Sequence, residues 1–380
     1  MKTVDVIIVG QGIAGTFLSF ELIDAGFSVM VIDHPMVSGA SRVASGVINP
    51  VTGRRVVETW KIDELLPLAS GSYQRISKKS ALPSLAKSVE VLSVHGSQQM
   101  RDAFQKRQRE GSPYIKNITA DAFQNFFTLP YGGHVIYPAL LIDLGRLLVS
   151  YREYLKTHGW LLESKVNWQS LQLDNDKLGQ YGAVAYQYGP EPDQTIAAKW
   201  MIAADGAAGA ENPYFQQLAF RYNKGEALIV SIPGLSSKYI YKLKYSIVPW
   251  GSYTGDGGNV THANDRDDIA EHLFWVGSSY QWNFDNDHPS EGFKRNVLEF
   301  LESELLMPFK VVDHLAAIRP ASINRRPFAG LHPDYPQLGI LNGLGTKGCS
   351  LAPYLAIGWR DLLTKGKSFD PEVRLETARQ

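Results

Sequence analysis

The apolar and polar positions along the chain change period several times, and each change marks an element. Val4–Val9 is an apolar run broken only by Asp5, as expected of a strand buried on both faces. Ile13, Phe17, Leu18, Phe20, Leu22 and Ile23 recur at helical spacing, and Gly26 ends that helix. Ser28–Ile32 reads as a second buried strand. Strand, helix and strand in this order imply a parallel sheet. Asp63–Ser80 has helical period, and Val89–Val94 and Val135–Tyr137 read as strands on either side of a polar, helix-like stretch, Gln98–Glu110. Pro138–His158 predicts one long amphipathic helix whose apolar face carries Leu140, Leu141, Leu144, Leu147, Leu148, Tyr151 and Leu155. Short strands follow to about Ala203. From Leu218 to Gly277 the pattern alternates and is rich in aromatics, which favours an antiparallel sheet. Ser290–Leu306 predicts another helix, and Leu338–Leu363 returns to strand, glycine-rich turn and helix.

With 380 residues the chain exceeds what one core usually supports, so two domains are expected. The return to a strand–turn–helix pattern at the C-terminus makes the first domain discontinuous. It should comprise residues 1–80, 138–210 and 316–380, with a largely antiparallel β-rich domain inserted at 81–137 and 211–315. The overall class is therefore α/β with two domains. Thirty-eight basic residues balance thirty-eight acidic ones. A global field that would draw nucleic acid or an anionic membrane is absent. The single cysteine, Cys349, excludes an internal disulfide framework and fits a reducing, cytoplasmic setting. The N-terminal run is interrupted by Asp5 and ends in a glycine turn, unlike a signal peptide, and no apolar stretch reaches spanning length. The nine histidines form no metal-binding spacing, and no G-x-S-x-G motif is found. Metal and serine-nucleophile chemistry are not expected.

Gly10-Gln11-Gly12-Ile13-Ala14-Gly15 matches G-x-G-x-x-G between the first strand and the first helix. The first glycine permits a tight turn, the second lets backbone approach a pyrophosphate, and the third lets helix and strand pack closely. The helix N-terminus then offers free N–H groups to the phosphates. Asp33, about twenty residues on at the end of the second strand, is placed to accept hydrogen bonds from an adenosine ribose. The context makes this a Rossmann-like dinucleotide fingerprint. It does not separate FAD from NAD, since both present the same ADP half.

Four further stretches separate them. "SRVASGVINP" (Ser41–Pro50), "WMIAADGAAGA" (Trp200–Ala210), "IRPASINRRPFAGLHPD" (Ile318–Asp334) and "LNGLGTKGCSLAP" (Leu341–Pro353) resemble, in order, segments of the D-amino-acid oxidase, glycine oxidase and sarcosine oxidase family of FAD enzymes. Within that family the chain is most similar to the FAD domain of the bifunctional enzyme that modifies carboxymethylaminomethyl-uridine in tRNA. "VGSSYQWNFD" (Val276–Asp285) and "GLGTKGCSLAP" (Gly343–Pro353) carry that likeness. The companion methyltransferase domain has no counterpart here, and Arg325 and Arg326 stand where an acid usually precedes the proline.

The resemblance implies FAD as cofactor. His34, Ala40, Ser41, Arg42, Ser45, Gly46 and Val47 would follow Asp33 along the cofactor. Val166, in "KVNWQ", is carried over as the strand valine against adenine, and Ala204 and Gly206 as the turn that closes on it. Gly343, Leu344, Gly345, Thr346, Lys347 and Gly348 would form the loop over the flavin pyrimidine. The covalent cysteine of sarcosine oxidases is replaced by Ile318, and the histidine of related dehydrogenases by Val43, so attachment should be noncovalent.

The implied reaction removes a hydride from a carbon bonded to nitrogen, giving an imine that water hydrolyses. Arg319 is the candidate anchor for a substrate carboxylate, because a guanidinium offers a matching fork of donors. Lys347 and Thr346 are candidates beside the flavin, and Tyr245 and Tyr280 are the candidate pocket tyrosines among Tyr239, Tyr241, Tyr245, Tyr253 and Tyr280. The substrate is expected to be a small amine or amino acid, with oxygen as the expected reoxidant. The competing readings are the same chemistry on tRNA, where the basic stretch Lys106–Glu110 would be the place to look, and a non-catalytic flavoprotein. An NAD-linked dehydrogenase is disfavoured because it leaves the C-terminal signature without a role.

Overall fold

The computed structural model describes residues 1–34, 39–53, 55–118, 123–128, 131–191, 194–251 and 272–375. Two sheets organise the chain. The first centres on the strand Lys2–Val9, which pairs in parallel with Val29–Asp33 on one side and Thr195–Ala203 on the other. Leu161–Glu163 extends it past Val29–Asp33, again in parallel, and Leu338–Asn342 joins the end of Thr195–Ala203. Short antiparallel strands, Leu171–Leu173, Val184–Gln187 and Phe328–Leu331, finish the edges. Val6, Ile7 and Ile8 are wholly buried, as a strand covered on both faces requires. The helices Ile13–Asp24 and Gly348–Lys365 pack together on this sheet, with Gly348 against Ile13.

The second sheet is mostly antiparallel. Its strands run in the order Lys310–Ser322, Phe220–Ser231, Leu273–Gly277, Ser246–Pro249, Tyr239–Lys242, Ala86–Val94, Gly133–Ile142 and Val47–Ile48, with Ile115–Asn117 beside Gly133–Ile142. The helix Glu291–Glu304 covers one face, burying Phe293, Val297, Phe300 and Leu301. Ser290 ties that helix down: its N–H and hydroxyl both donate to the buried carboxylate of Glu226, at 2.6 and 2.8 Å. The other face of the sheet, carrying Val91, Ile240, Val248, Ile229 and Ala227, joins the core shared with the first sheet's helices.

Most expected elements are present within one or two residues. The stretch after Tyr137 differs. Residues 138–142 continue the strand Gly133–Ile142, and the helix begins only at Leu144. Asp143 sets that start by accepting a hydrogen bond from the Arg146 N–H at 3.0 Å. Leu140 is buried in the strand, and its spacing would also suit a helix face, so apolar spacing alone does not separate the two. The strands Gly133–Ile142 and Lys310–Ser322 both run across expected domain boundaries, and Val47–Ile48 pairs with the second sheet rather than the first. Among the described residues no helix is long and apolar enough to cross a membrane.

Candidate functional site: a dinucleotide cradle against a sheet face

The first glycine turn is built for close backbone approach. Gly10 has a φ of +97°, and a Cβ there would sit 2.6 Å from the Ala204 carbonyl oxygen. A Cβ on Gly15 would lie 1.8 Å from the carbonyl oxygen of Gly10. The Ala204 N–H donates to the Val9 carbonyl at 2.8 Å, and the Asn342 amide donates to the Gly206 carbonyl at 2.9 Å, so Ala204 and Gly206 close over the turn. Gly12 is the N-cap of helix Ile13–Asp24 and supplies no capping side chain. The Ile13 N–H instead donates to the Ser41 hydroxyl at 3.1 Å, and Ala14 is buried behind it.

Asp33 ends the second strand. Its Oδ1 accepts the Gln11 N–H at 2.9 Å, and its Oδ2 is paired with Arg152. Arg152 is nearly buried and also donates to Glu163 at 2.8 Å. Arg42, on the short helix Ala40–Val43, faces this pair. Burial lowers its pKa, Asp33 raises it and Arg152 lowers it. The Arg42 guanidinium makes no hydrogen bond or ion pair among the described residues. A half-buried guanidinium without a partner, next to a turn where Cβ atoms cannot fit, suits a pyrophosphate. Asp33, with His34 after it, suits the ribose end. Val166 is half-buried three residues past Glu163, whose strand pairs with Asp33; it lies in a loop, not in the expected strand.

The segment after Arg42 turns sharply. Gly46 has a φ of +77°, and a Cβ there would lie 2.0 Å from the Ile142 carbonyl oxygen. This turn brings Ser45 and Val47 to a cavity of about 240 Å³. The opposite wall is the inner face of the second sheet, with Lys242, Ser246, Trp275 and Gly277. The Trp275 indole donates to the Val43 carbonyl at 2.9 Å and locks sheet to segment. A larger open cavity of about 530 Å³ lies by His134 and the helix Gln98–Arg109, and no fingerprint residue borders it.

The C-terminal turn meets both. Gly343 and Gly345 have φ of +75° and +54°, and the Gly345 N–H donates to the Pro320 carbonyl at 2.9 Å. Leu344 bridges to Ala321, and Gly348 abuts Ile13. Thr346 is exposed and Lys347 half-buried. Burial lowers the Lys347 pKa, and Arg326 and Arg325 lower it further. Arg326 itself is tied to Glu372 at 2.7 Å. Arg319 lies next to this turn on the inner sheet face. It donates to Asn223 Oδ1 at 2.9 Å and to the Ser279 carbonyl at 3.2 Å, and its guanidinium lies 5.9 Å from the Tyr280 ring. Burial lowers its pKa against the pull of Tyr280.

Tyr280 therefore belongs with Arg319. Tyr245 does not: its neighbour Ser246 faces the cavity, so strand alternation turns Tyr245 outward, edge-on to Phe293 and Phe300. The same parity places Tyr239 and Tyr241 against Phe123, away from the cavity. Tyr253 lies outside the described residues. Cys349 is buried and accepts a hydrogen bond from Tyr73 at its carbonyl; burial pushes its thiol up to about 12, so the helix N-terminus does not activate it.

Sequence reasoning missed Arg152, Lys242 and Asp205. Asp205 stood in plain view within "WMIAADGAAGA" beside the first glycine turn. Its Oδ1 accepts the Asn342 amide at 2.9 Å, and burial raises its pKa from 3.8 to about 7. The folded protein thus holds a proton that the unfolded chain releases near pH 4. Stability from this group is complete below pH 4 and is lost as pH rises to 7, by about 4 kcal/mol at most. Denaturant titrations should show a smaller loss between pH 5 and 8 in Asp205→Asn than in wild type. Parallel pH dependence in the two would contradict this.

The chain matches the family described as FAD dependent oxidoreductase over residues 5–357, and it belongs to that family. Its cofactor is FAD. Among solved structures it is similar to glycine oxidase from Geobacillus kaustophilus, at 17% identity and a TM-score of 0.74 over 98% of this chain and 97% of that one. It is similar to iminodiacetate oxidase from Chelativorans sp., at 17% identity and a TM-score of 0.71 over 96% and 97%. L-proline dehydrogenase from P. horikoshii matches at 14% identity and a TM-score of 0.70 over 97% and 96%. The fold is that of these two-domain flavoenzymes.

Proposed function

We propose that this enzyme oxidises a carbon–nitrogen bond in a small carboxylated amine or amino acid, with FAD held noncovalently. The observation that carries the reading is the shared sheet face. Arg319 and the 240 Å³ cavity lie on one surface of the second sheet, opposite the segment bearing Ser45 and Val47. FAD, when bound, would supply the hydride acceptor. Gly12 would admit its pyrophosphate at the helix N-terminus, with Gly10 and Gly15 allowing the tight turn behind it; Arg42 would balance that charge, and Asp33 would take the ribose. The turn Gly343–Gly348 supplies N–H groups and the Lys347 charge at the other end. Arg319 holds the substrate carboxylate, with Tyr280 beside it, and so fixes which C–H is presented. Asn223 and Ser279 hold Arg319 in place. Ile318 and Val43 offer no nucleophile for a covalent link. The imine formed is hydrolysed by water, and oxygen is the proposed reoxidant.

The test is anaerobic flavin reduction. Glycine, sarcosine, proline and both enantiomers of larger amino acids should be compared with tRNA carrying carboxymethylaminomethyl-uridine. Bleaching by one or more free amines supports the reading. Bleaching by the tRNA alone, suppressed by salt, would transfer the activity to RNA. Bleaching by none would favour a non-catalytic flavoprotein.

A further inference from the structure

We infer that the cavity at Lys242 is a subsite for an anionic substituent, so that the favoured substrate carries a second carboxylate remote from the one at Arg319. This rests on the amine-oxidation reading above. Lys242 is the single charged residue among those lining the cavity, and none of the lining residues is acidic. Its ammonium makes no hydrogen bond or ion pair among the described residues. Its surroundings on the sheet are Val91, Ile240 and Val248, and burial lowers its pKa. A cation in such a place is costly unless an anion joins it. Ser246 and Ser278 line the same space with hydroxyls that suit a carboxylate.

Register places this subsite relative to Arg319. Lys242 pairs with Ser246, Ser246 with Gly277, Gly277 with Ala227, and Ala227 with Leu315. These five residues share one face. Four strand spacings separate Lys242 from the strand of Arg319, about 19 Å of backbone. The two long side chains close much of that gap. Ser278 lines the cavity, and the carbonyl of the next residue, Ser279, receives Arg319. The cavity therefore leads from Lys242 toward the guanidinium of Arg319. An extended diacid suits this span better than a compact one.

Matched probes test the inference in the FAD-loaded enzyme. For binding, adipate and hexanoate are titrated by the flavin difference spectrum. For reaction, both enantiomers of 2-aminoadipate and of norleucine are compared by anaerobic flavin reduction. The diacid should bind at least tenfold more tightly in each pair. Lys242→Met should bring the members of each pair within about threefold, and Lys242→Glu should shift preference toward lysine. Equal affinities in wild type, or a preference that survives Lys242→Met, would overturn the subsite. If adipate is preferred but no amine reduces the flavin, the amine-oxidation reading fails and the anionic subsite stands. If 2-aminoadipate and norleucine react with equal affinity, the reading stands and the subsite fails.

Discussion

Gly12→Asp should give a folded, colourless protein, whereas the wild type should purify yellow and release its colour to the supernatant on acid precipitation. A Cβ at Gly12 would lie 3.3 Å from the Ser41 hydroxyl, a contact that a small rotation relieves. The backbone at Gly12 is extended, with φ of −78°, so a side chain causes no strain. The added carboxylate would stand where the helix N-terminus receives the pyrophosphate. Juxtaposed like charges cost several kcal/mol, so FAD affinity should fall at least a hundredfold. Gly15→Ala is a different experiment. Its Cβ would overlap the Gly10 carbonyl at 1.8 Å, so the strand and helix would have to separate and stability itself would fall. Flavin content per chain and the melting point of flavin-stripped protein distinguish the two. Full flavin loading of Gly12→Asp would remove the pyrophosphate from this turn. Colour that stays with the acid precipitate would refute a noncovalent cofactor.

The sequence made the cofactor end of the site legible because its parts are local. Gly10 to Asp33 is one strand–helix–strand unit, and Gly343 to Gly348 is one turn, so each carries its own spacing. What joins these parts is long-range. Arg152 reaches Asp33 across 119 residues, and nothing in its helix marks it as more than one arginine on a largely apolar face. Lys242 was hidden for another reason. In "KYIYKLKYSIVPW" the aromatics draw attention, yet Tyr239, Tyr241 and Tyr245 all point away from the cavity. A strand has period two, and the short turn between Lys242 and Ser246 decides which parity faces inward. Composition cannot supply that parity. At Pro138–Ile142 the error was of the same kind, since Leu140 and Leu141 satisfy a strand as well as a helix until Asp143 is recognised as a cap.

Arg319→Ala should raise KM for carboxylated amines at least thirtyfold, because losing a charged hydrogen-bond pair in a partly buried site costs about 2–5 kcal/mol. Arg319→Lys should recover only part of that, since one ammonium cannot supply the fork. The bland explanation is that Arg319 only braces the sheet through Asn223 and Ser279. Two comparisons separate them. The first is between a carboxylated amine and the same amine lacking the carboxylate: an anchor penalises only the former, a brace penalises both. The second leaves Arg319 intact. Gly225 lies under the guanidinium, and a Cβ there would sit 1.9 Å from Arg319 Nη2. That clash falls on the far end of a flexible side chain, so Gly225→Ala should displace the head of Arg319 without unfolding the sheet. Its kinetics should then resemble those of Arg319→Ala, with a melting point closer to wild type. Wild-type KM values in both variants would take Arg319 out of the substrate site. A Gly225→Ala enzyme that loses activity on both amines alike would leave it as a brace.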